Sequence, residues 1–267
     1  MITYTLTFGD RCENHAGMDI KGIDVGKGNG FNLDDLKKAK EFFEKLGCEC
    51  EIVNLKELIN LDAKILENIN DAYLLIIKNM MQNISKRKDT IEIFIKEMES
   101  FIWDNKYWDK RRKKVLNKHA RENVCFGDQE SEPDYENGKG RIIKWDNVPI
   151  LNNVKKIIEL VLGNKGKNLM CEGNKYKNND NDYKNNGGIG WHGDGERRKV
   201  FALRIGKPMV LKYNWWFKCK PVGNIFEVTL NSGDAYIMSE KAVGYDWLTK
   251  NIYTLRHSAG SNKYVKL

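Results

Sequence analysis

Histidine is scarce in this chain, with four in 267 residues, so any site built on imidazoles has few candidates. Other things are missing as well. No stretch approaches the roughly 18 consecutive apolar residues of a membrane-spanning helix; the greasiest run is residues 72–77. The first eight residues lack the basic start and small-residue cleavage site of a secretory signal, and read instead as a strand. The six cysteines Cys12, Cys48, Cys50, Cys125, Cys171 and Cys219 include no C-x-x-C pair. Neither a zinc knuckle nor a disulfide framework has the spacing it needs. These absences predict no membrane partner, free thiols, and an intracellular setting, cytoplasmic or nuclear.

What is present is charge. Basic residues outnumber acidic ones 45 to 37, for a net +8. An excess of this sign favours a polyanionic partner, because neutralising phosphates drives non-specific nucleic-acid affinity. A Lys- and Asn-rich composition produces the same excess without any such partner.

The hydrophobic pattern divides the chain near residue 104. Residues 2–8 alternate as a strand. Asn32 or Asp34 caps a helix whose apolar positions Leu33, Leu36, Ala39, Phe43 and Leu46 recur at helical spacing up to Gly47. A strand at 50–55, a helix at 61–69, a buried strand at 72–77 and a helix at 86–103, with Ile91, Phe94, Ile95, Met98 and Ile102 on its inner side, complete a β-α-β-α-β order. Residues 1–104 are therefore expected to form an N-terminal α/β module, whose polar loop 9–15 has no evident chemistry. From 105 onward come a basic run, Lys110-Arg111-Arg112-Lys113-Lys114, one helix after Pro149, and short strands separated by Gly- and Asn-rich turns. That texture fits an all-β barrel or jelly roll, with residues 174–188 as a surface loop. The fold class expected is α+β.

The histidine search is short. His192 and Asp194 stand two apart in Gly190-Trp-His-Gly-Asp-Gly-Glu196, and in a strand such positions share a face. His257 is the only histidine downstream, after the apolar run 252–255, where an antiparallel strand brings it back to the same point. Two histidines and a carboxylate make the facial triad that leaves positions open on Fe(II). His192, Asp194 and His257 are the expected metal ligands; His15 and His119 read as structural.

With these residues in view, positions from about 118 to 267 resemble the AlkB family of Fe(II)- and 2-oxoglutarate-dependent dioxygenases. Ala120-Arg121-Glu-Asn-Val-Cys-Phe126-Gly-Asp128 is similar to that family's P-R-x-x-x-x-Y-G-D segment, and Asn174-Lys-Tyr176 to its N-x-Y strand. The stretch 189–196 resembles I-x-x-H-x-D-x-E, Phe201-Ala-Leu-Arg204-Ile-Gly206 resembles S-L-S-F-G, and Gly233-Asp-Ala-Tyr-Ile-Met238 resembles G-x-L-x-x-M. The resemblance implies a double-stranded β-helix (jelly-roll) core over 105–267, with Fe(II) and 2-oxoglutarate as cofactors. It implies that Asn174 and Tyr176 hydrogen-bond 2-oxoglutarate, that Glu196 reads the substrate, and that Arg121, Phe126 and Asp128 belong to a nucleotide-binding lid. The reaction implied is oxidation of a methyl or C–H group on DNA or RNA.

The sequence departs from the family at one place. The family carries two arginines after the distal histidine, whereas residues 258–267 contain none. A buried cation is still required against the far carboxylate of the co-substrate. Lys263 and Lys266 qualify by position, Lys266 being preferred, and Arg204 or Arg256 qualify from neighbouring strands. A lysine there also suits a prolyl-type protein hydroxylase, the alternative reading; a non-catalytic binding protein on a dioxygenase fold is a third.

Overall fold

The computed structural model describes residues 2–85, 87–177 and 187–267. The chain opens with strand β1 (Ile2–Gly9), a small hairpin of β2 (Arg11–Glu13) and β3 (Ile20–Gly22), helix α1 (Leu33–Lys45) and strand β4 (Glu49–Asn54). Short α2 (Ala63–Leu66), strand β5 (Tyr73–Lys78) and helices α3 (Met80–Ser85) and α4 (Thr90–Glu99) follow. A second hairpin, β6 (Lys106–Asp109) and β7 (Lys114–Asn117), precedes β8 (Glu122–Gly127), β9 (Ile142–Lys144), α5 (Pro149–Leu162) and β10 (Met170–Lys177). The remainder is β11 (Gly188–His192), β12 (Val200–Gly206), β13 (Met209–Phe217), β14 (Lys220–Leu230), β15 (Ala235–Met238), α6 (Glu240–Val243), β16 (Thr254–Gly260) and α7 (Asn262–Val265). The class is mixed α+β, mostly sheet.

Local chemistry sets the helix ends. Asn32 caps α1 by accepting from the Asp35 amide at 3.0 Å, while the Asp35 carboxylate accepts from the Asn32 amide at 2.9 Å, a reciprocal capping box. The orphan amides of Ile150 and Leu151 that open α5 donate to the Glu97 carboxylate on α4 at 2.7 and 3.0 Å. The expected helix 86–103 is shorter, since α4 stops at Glu99 and Ile102 is 71% exposed rather than inward. Likewise the helix expected at 61–69 is only the single turn α2. Of the expected loop 174–188, residues 178–186 lie outside the described residues, and its two ends are the strands β10 and β11.

Two sheets dominate. One has eight strands in the order β4-β5-β15-β12-β1-β10-β8-β9, and the other has four in the order β11-β16-β13-β14. The alternating sequence of β1 shows why both faces of the large sheet are covered. Tyr4, Leu6 and Phe8 point into a core shared with Leu36 and Phe43 of α1, Phe94 of α4 and Ile158 of α5. Thr3, Thr5 and Thr7 take the opposite face, toward the four-stranded sheet. A second core lies on that side, where Ile76, Val200 and Met238 of the large sheet meet Leu211, Trp215 and Leu255 of the small one.

This topology corrects the expected division at 104. β1 is hydrogen-bonded between β10 and β12 along its whole length, and β5 pairs with β15, so strands from both halves are interleaved in one sheet. The local β-α-β-α-β order was read without the long-range pairings that decide which sheet a strand joins. Residues 105–267 produced alone lack β1, so β10 and β12 each lose one partner and the sheet is split at its centre. They are expected to show no cooperative urea transition by tryptophan fluorescence; a native-like cooperative transition of that fragment would contradict the interleaving.

Candidate metal centre

β11 and β16 pair antiparallel with His192 directly opposite His257. The expectation that Asp194 shares a strand face with His192 needs correction, because β11 ends at His192 and Asp194 sits in the turn beyond it. That turn is pinned by its own backbone: the Asp194 amide donates to the Val243 carbonyl at 3.0 Å. Gly193 lies so close to Gly244 that a Cβ there would stand 2.1 Å from the Gly244 carbonyl oxygen. Glycine is therefore required between the two ligand candidates, and the close approach swings Asp194 back toward the histidines.

The three side chains converge. Asp194 Oδ1 is 3.4 Å from His192 Nε2 and 3.6 Å from His257 Nε2. One donor atom from each residue falls within 4.8 Å of the others. His192 Nδ1 lies 2.7 Å from the Gly190 carbonyl oxygen. As an N–H donor to that carbonyl, Nδ1 leaves the Nε2 lone pair directed at the convergence point.

The protonation states match. Burial works to raise the Asp194 carboxyl, but Arg197, His192 and His257 outweigh it and hold it well below the usual carboxylate range. Burial, reinforced by neighbouring His192, pushes His257 down, toward its neutral form. An ionised Asp194 carboxylate and a neutral His257 imidazole are donor states a divalent cation requires, so the residues present fit a metal of the facial-triad type.

Arg197, unmarked in the sequence, ties the centre together. It is 3% exposed; its Nε stands 3.8 Å from Asp194 Oδ2, and its Nη2 stands 2.6 Å from Glu196 Oε1 and bonds Glu172 Oε2. Burial opposes its charge, yet Glu196, Glu172 and Asp194 together raise its pKa well above the ordinary value.

The three ligand candidates line a cavity of about 860 Å³ between the two sheets. Arg204 of β12 lies in its wall, 0% exposed, and faces no carboxylate among the described residues. Its Nη1 donates to Thr5 Oγ1 of β1 and lies 3.1 Å from Met209 Sδ, while Nε and Nη2 have no partner among the described residues. Those two nitrogens form one edge of the guanidinium, the edge that grips a carboxylate with two parallel hydrogen bonds.

The other expected residues divide. Asn174 and Tyr176 of β10 line the cavity, but Asn174 Oδ1 accepts from Asn123 at 2.7 Å and its Nδ2 donates to Glu172 at 3.0 Å, leaving one free N–H. Glu196 lines the cavity with its carboxylate held by Arg197. Arg121 lines the cavity too, with a buried, unpartnered Nε. Phe126 is not a lid residue: it is fully buried in the helix-side core against Phe101 and Trp145. Asp128 is exposed beyond the end of β8 and away from the cavity. Lys263 and Lys266 are exposed on α7 and just after it, where helical geometry replaces the strand assumed for them. Arg256 neighbours His257 and so points to the other face of β16, stacked on Trp216 at 4.2 Å and near Trp247 at 5.1 Å.

Loop 9–15, read without any chemistry, becomes part of the cavity wall. Asp10 Oδ1 accepts from the Arg198 and Lys199 amides, both at 2.9 Å, and bolts the loop to the segment that follows Asp194. Arg11, Glu13 and His15 then line the cavity at alternate positions. His15 is stacked on Tyr107 of β6 with ring centroids 3.8 Å apart.

No protein-family model matches the chain. It is 40% identical over 264 residues to "Uncharacterized protein R156" of Acanthamoeba polyphaga mimivirus, an alignment covering 99% of this chain and 98% of that protein. At that likeness and coverage, the chain belongs to the family of the mimivirus protein.

Burial, then the charges of Lys118 and Arg121, lowers the His15 pKa to about 4. The ring therefore stays neutral across the physiological range. Because the unfolded chain takes up this proton first, near pH 6.5, His15 favours unfolding increasingly as pH falls from there toward 4. An NMR titration of the His15 ring is expected to show a midpoint near 4; a midpoint near 6.5 would contradict its half-buried place against Tyr107.

Proposed function

We propose that this chain, a relative of the mimivirus protein, is an AlkB-like Fe(II)- and 2-oxoglutarate-dependent dioxygenase that oxidises a methyl or C–H group on nucleic acid. The observation that carries the reading is Arg204. A guanidinium with no carboxylate beside it, its two-nitrogen edge unpaired, shares one cavity with the His192, Asp194 and His257 group. A metal-chelating acid with a second carboxylate at its far end matches both features, and 2-oxoglutarate is such a molecule. The facing sheets support a double-stranded β-helix, since the two histidines stand on adjacent strands of the small sheet with their partner arginine on the large one.

Bound iron(II) would supply the redox chemistry that turns oxygen against a C–H bond while 2-oxoglutarate is decarboxylated to succinate. The protein's own share is positioning. His192, Asp194 and His257 would hold the metal. Arg204, aimed by Thr5, would hold the far carboxylate, with the remaining Asn174 N–H and the buried Tyr176 ring on the same wall. Glu13, His15 and Arg121 would meet the primary substrate on the wall around loop 9–15.

Nucleic acid as substrate is supported by charge placement. Lys110, Arg111, Arg112 and Lys113 form the turn between β6 and β7, with Lys114 opening β7, and Tyr107 of β6 carries the His15 ring at the cavity wall. Electrostatic approach of a phosphate backbone and stacking of a base on an aromatic surface are the ordinary means of such binding. The prolyl-type hydroxylase alternative loses the lysine that favoured it, since Lys263 and Lys266 are both exposed. With no helix among the described residues long and apolar enough to cross a membrane and all six cysteines free, the setting proposed is cytoplasmic or nuclear.

The test is turnover. Purified protein is loaded anaerobically with Fe(II) and 2-oxoglutarate, air is admitted, and succinate is measured with and without methylated oligonucleotides. Succinate that rises with oligonucleotide and falls at least about 100-fold in His192→Ala is expected. Succinate unchanged by oligonucleotide would remove nucleic acid as substrate, and none under any condition would remove the dioxygenase reading.

A further inference from the structure

Of the carboxylates that line the cavity, Glu172, Asp194 and Glu196 gather around Arg197, yet only Asp194 converges with His192 and His257. A site meant to keep coordination positions open has to keep surplus carboxylates away, because each is a good oxygen ligand for a divalent ion. The arrangement around Arg197 does this. Its Nη2 bonds Glu172, its Nε and Nη2 both hold Glu196 Oε1 at 2.7 and 2.6 Å, and its Nε faces Asp194 Oδ2 at 3.8 Å. Asp194 Oδ1 is left for the histidine side.

We propose that Arg197 is a positioning residue that keeps the coordination shell open: it holds Glu196 off the metal and confines Asp194 to one ligating oxygen. The proposal rests on the metal-centre reading above. Glu196 is the carboxylate at issue. Glu172 keeps a second partner without Arg197, since its Oε1 accepts from Asn174 Nδ2 at 3.0 Å. Among the described residues, the Glu196 side chain, two residues from Asp194, is held by no side chain other than Arg197.

The sign of the expected effect separates this role from a structural one. Removing Arg197 deletes a positive charge near the metal and frees a carboxylate, so the metal should bind as tightly as before or more tightly. The co-substrate, which needs the vacated positions, should bind at least tenfold more weakly.

Mn(II) serves as the probe, with water-proton relaxation counting the exchangeable waters on the bound ion. Three protein ligands on a six-coordinate ion predict about three waters in the wild type. Arg197→Met is expected to lose one or more of them. Arg197→Lys keeps the charge and guards against a variant that fails to fold. It is expected to fall between the two, because a single ammonium cannot fork across the carboxylates. Glu196→Gln combined with Arg197→Met should regain the wild-type water count. Equal counts in wild type, Arg197→Met and Arg197→Lys would overturn the proposal while leaving the metal centre intact. Failure of the wild type to bind Mn(II) more tightly than His192→Ala would overturn the metal-centre reading, and this proposal with it.

Discussion

A guanidinium stands between two β-sheets with no carboxylate against it, and much of the molecule is arranged around that fact. Arginine cannot shed its proton to escape burial, and an uncompensated buried charge costs several kcal/mol. Arg204 nevertheless lies fully buried, given one hydroxyl and one thioether and no anion. The cost falls once an acid arrives, so the site stores in the folded protein a preference for a carboxylate ligand. On the proposed function, the histidine–aspartate group in the same cavity supplies the second point of attachment. Two fixed points select for the length of a ligand as well as its charge.

The first strand makes this arrangement possible. β1 occupies the middle of the large sheet, and its alternation divides the labour between the two faces. Tyr4, Leu6 and Phe8 stabilise the fold against the helices, while Thr5 turns the Arg204 edge into the cavity. The hairpin that follows β1 continues along the cavity wall, bolted by Asp10 to the backbone after Asp194. Residues distant in sequence from the histidines thus form part of the same chamber. On the proposed function, the N-terminal segment belongs to the catalytic machinery rather than standing beside it.

Much of this was legible from the sequence where chemistry is local. The cap at Asn32, the helix after Pro149, the alternation of residues 2–8 and the H-x-D triplet each depend on neighbours a few positions away, and each has its counterpart in the structure. What failed was long-range or hidden by averages. The boundary near 104 was invisible as an error because periodicity does not report which strands pair. Phe126, given to the lid by the resemblance, lies in the core, where a ring without a hydroxyl has no polar group to satisfy. Lys266 was preferred on the assumption that a strand continued past His257, whereas the chain turns into α7. Arg197 was overlooked because an arginine beside a glutamate reads as a solvated ion pair; the signal available was its place directly after a ligand motif crowded with carboxylates.

The central claim is that one cavity binds a divalent metal and a dicarboxylate together, the far carboxylate on Arg204. It is tested most directly by calorimetric titration of the anaerobic Fe(II)-loaded protein with 2-oxoglutarate, beside Arg204→Met and beside the metal-free protein. The account predicts binding that requires the metal and that weakens about 100-fold in Arg204→Met, the loss of two charge-assisted hydrogen bonds, with metal affinity retained. Equal affinity for 2-oxoglutarate in all three samples, or none in the metal-loaded wild type, would contradict it.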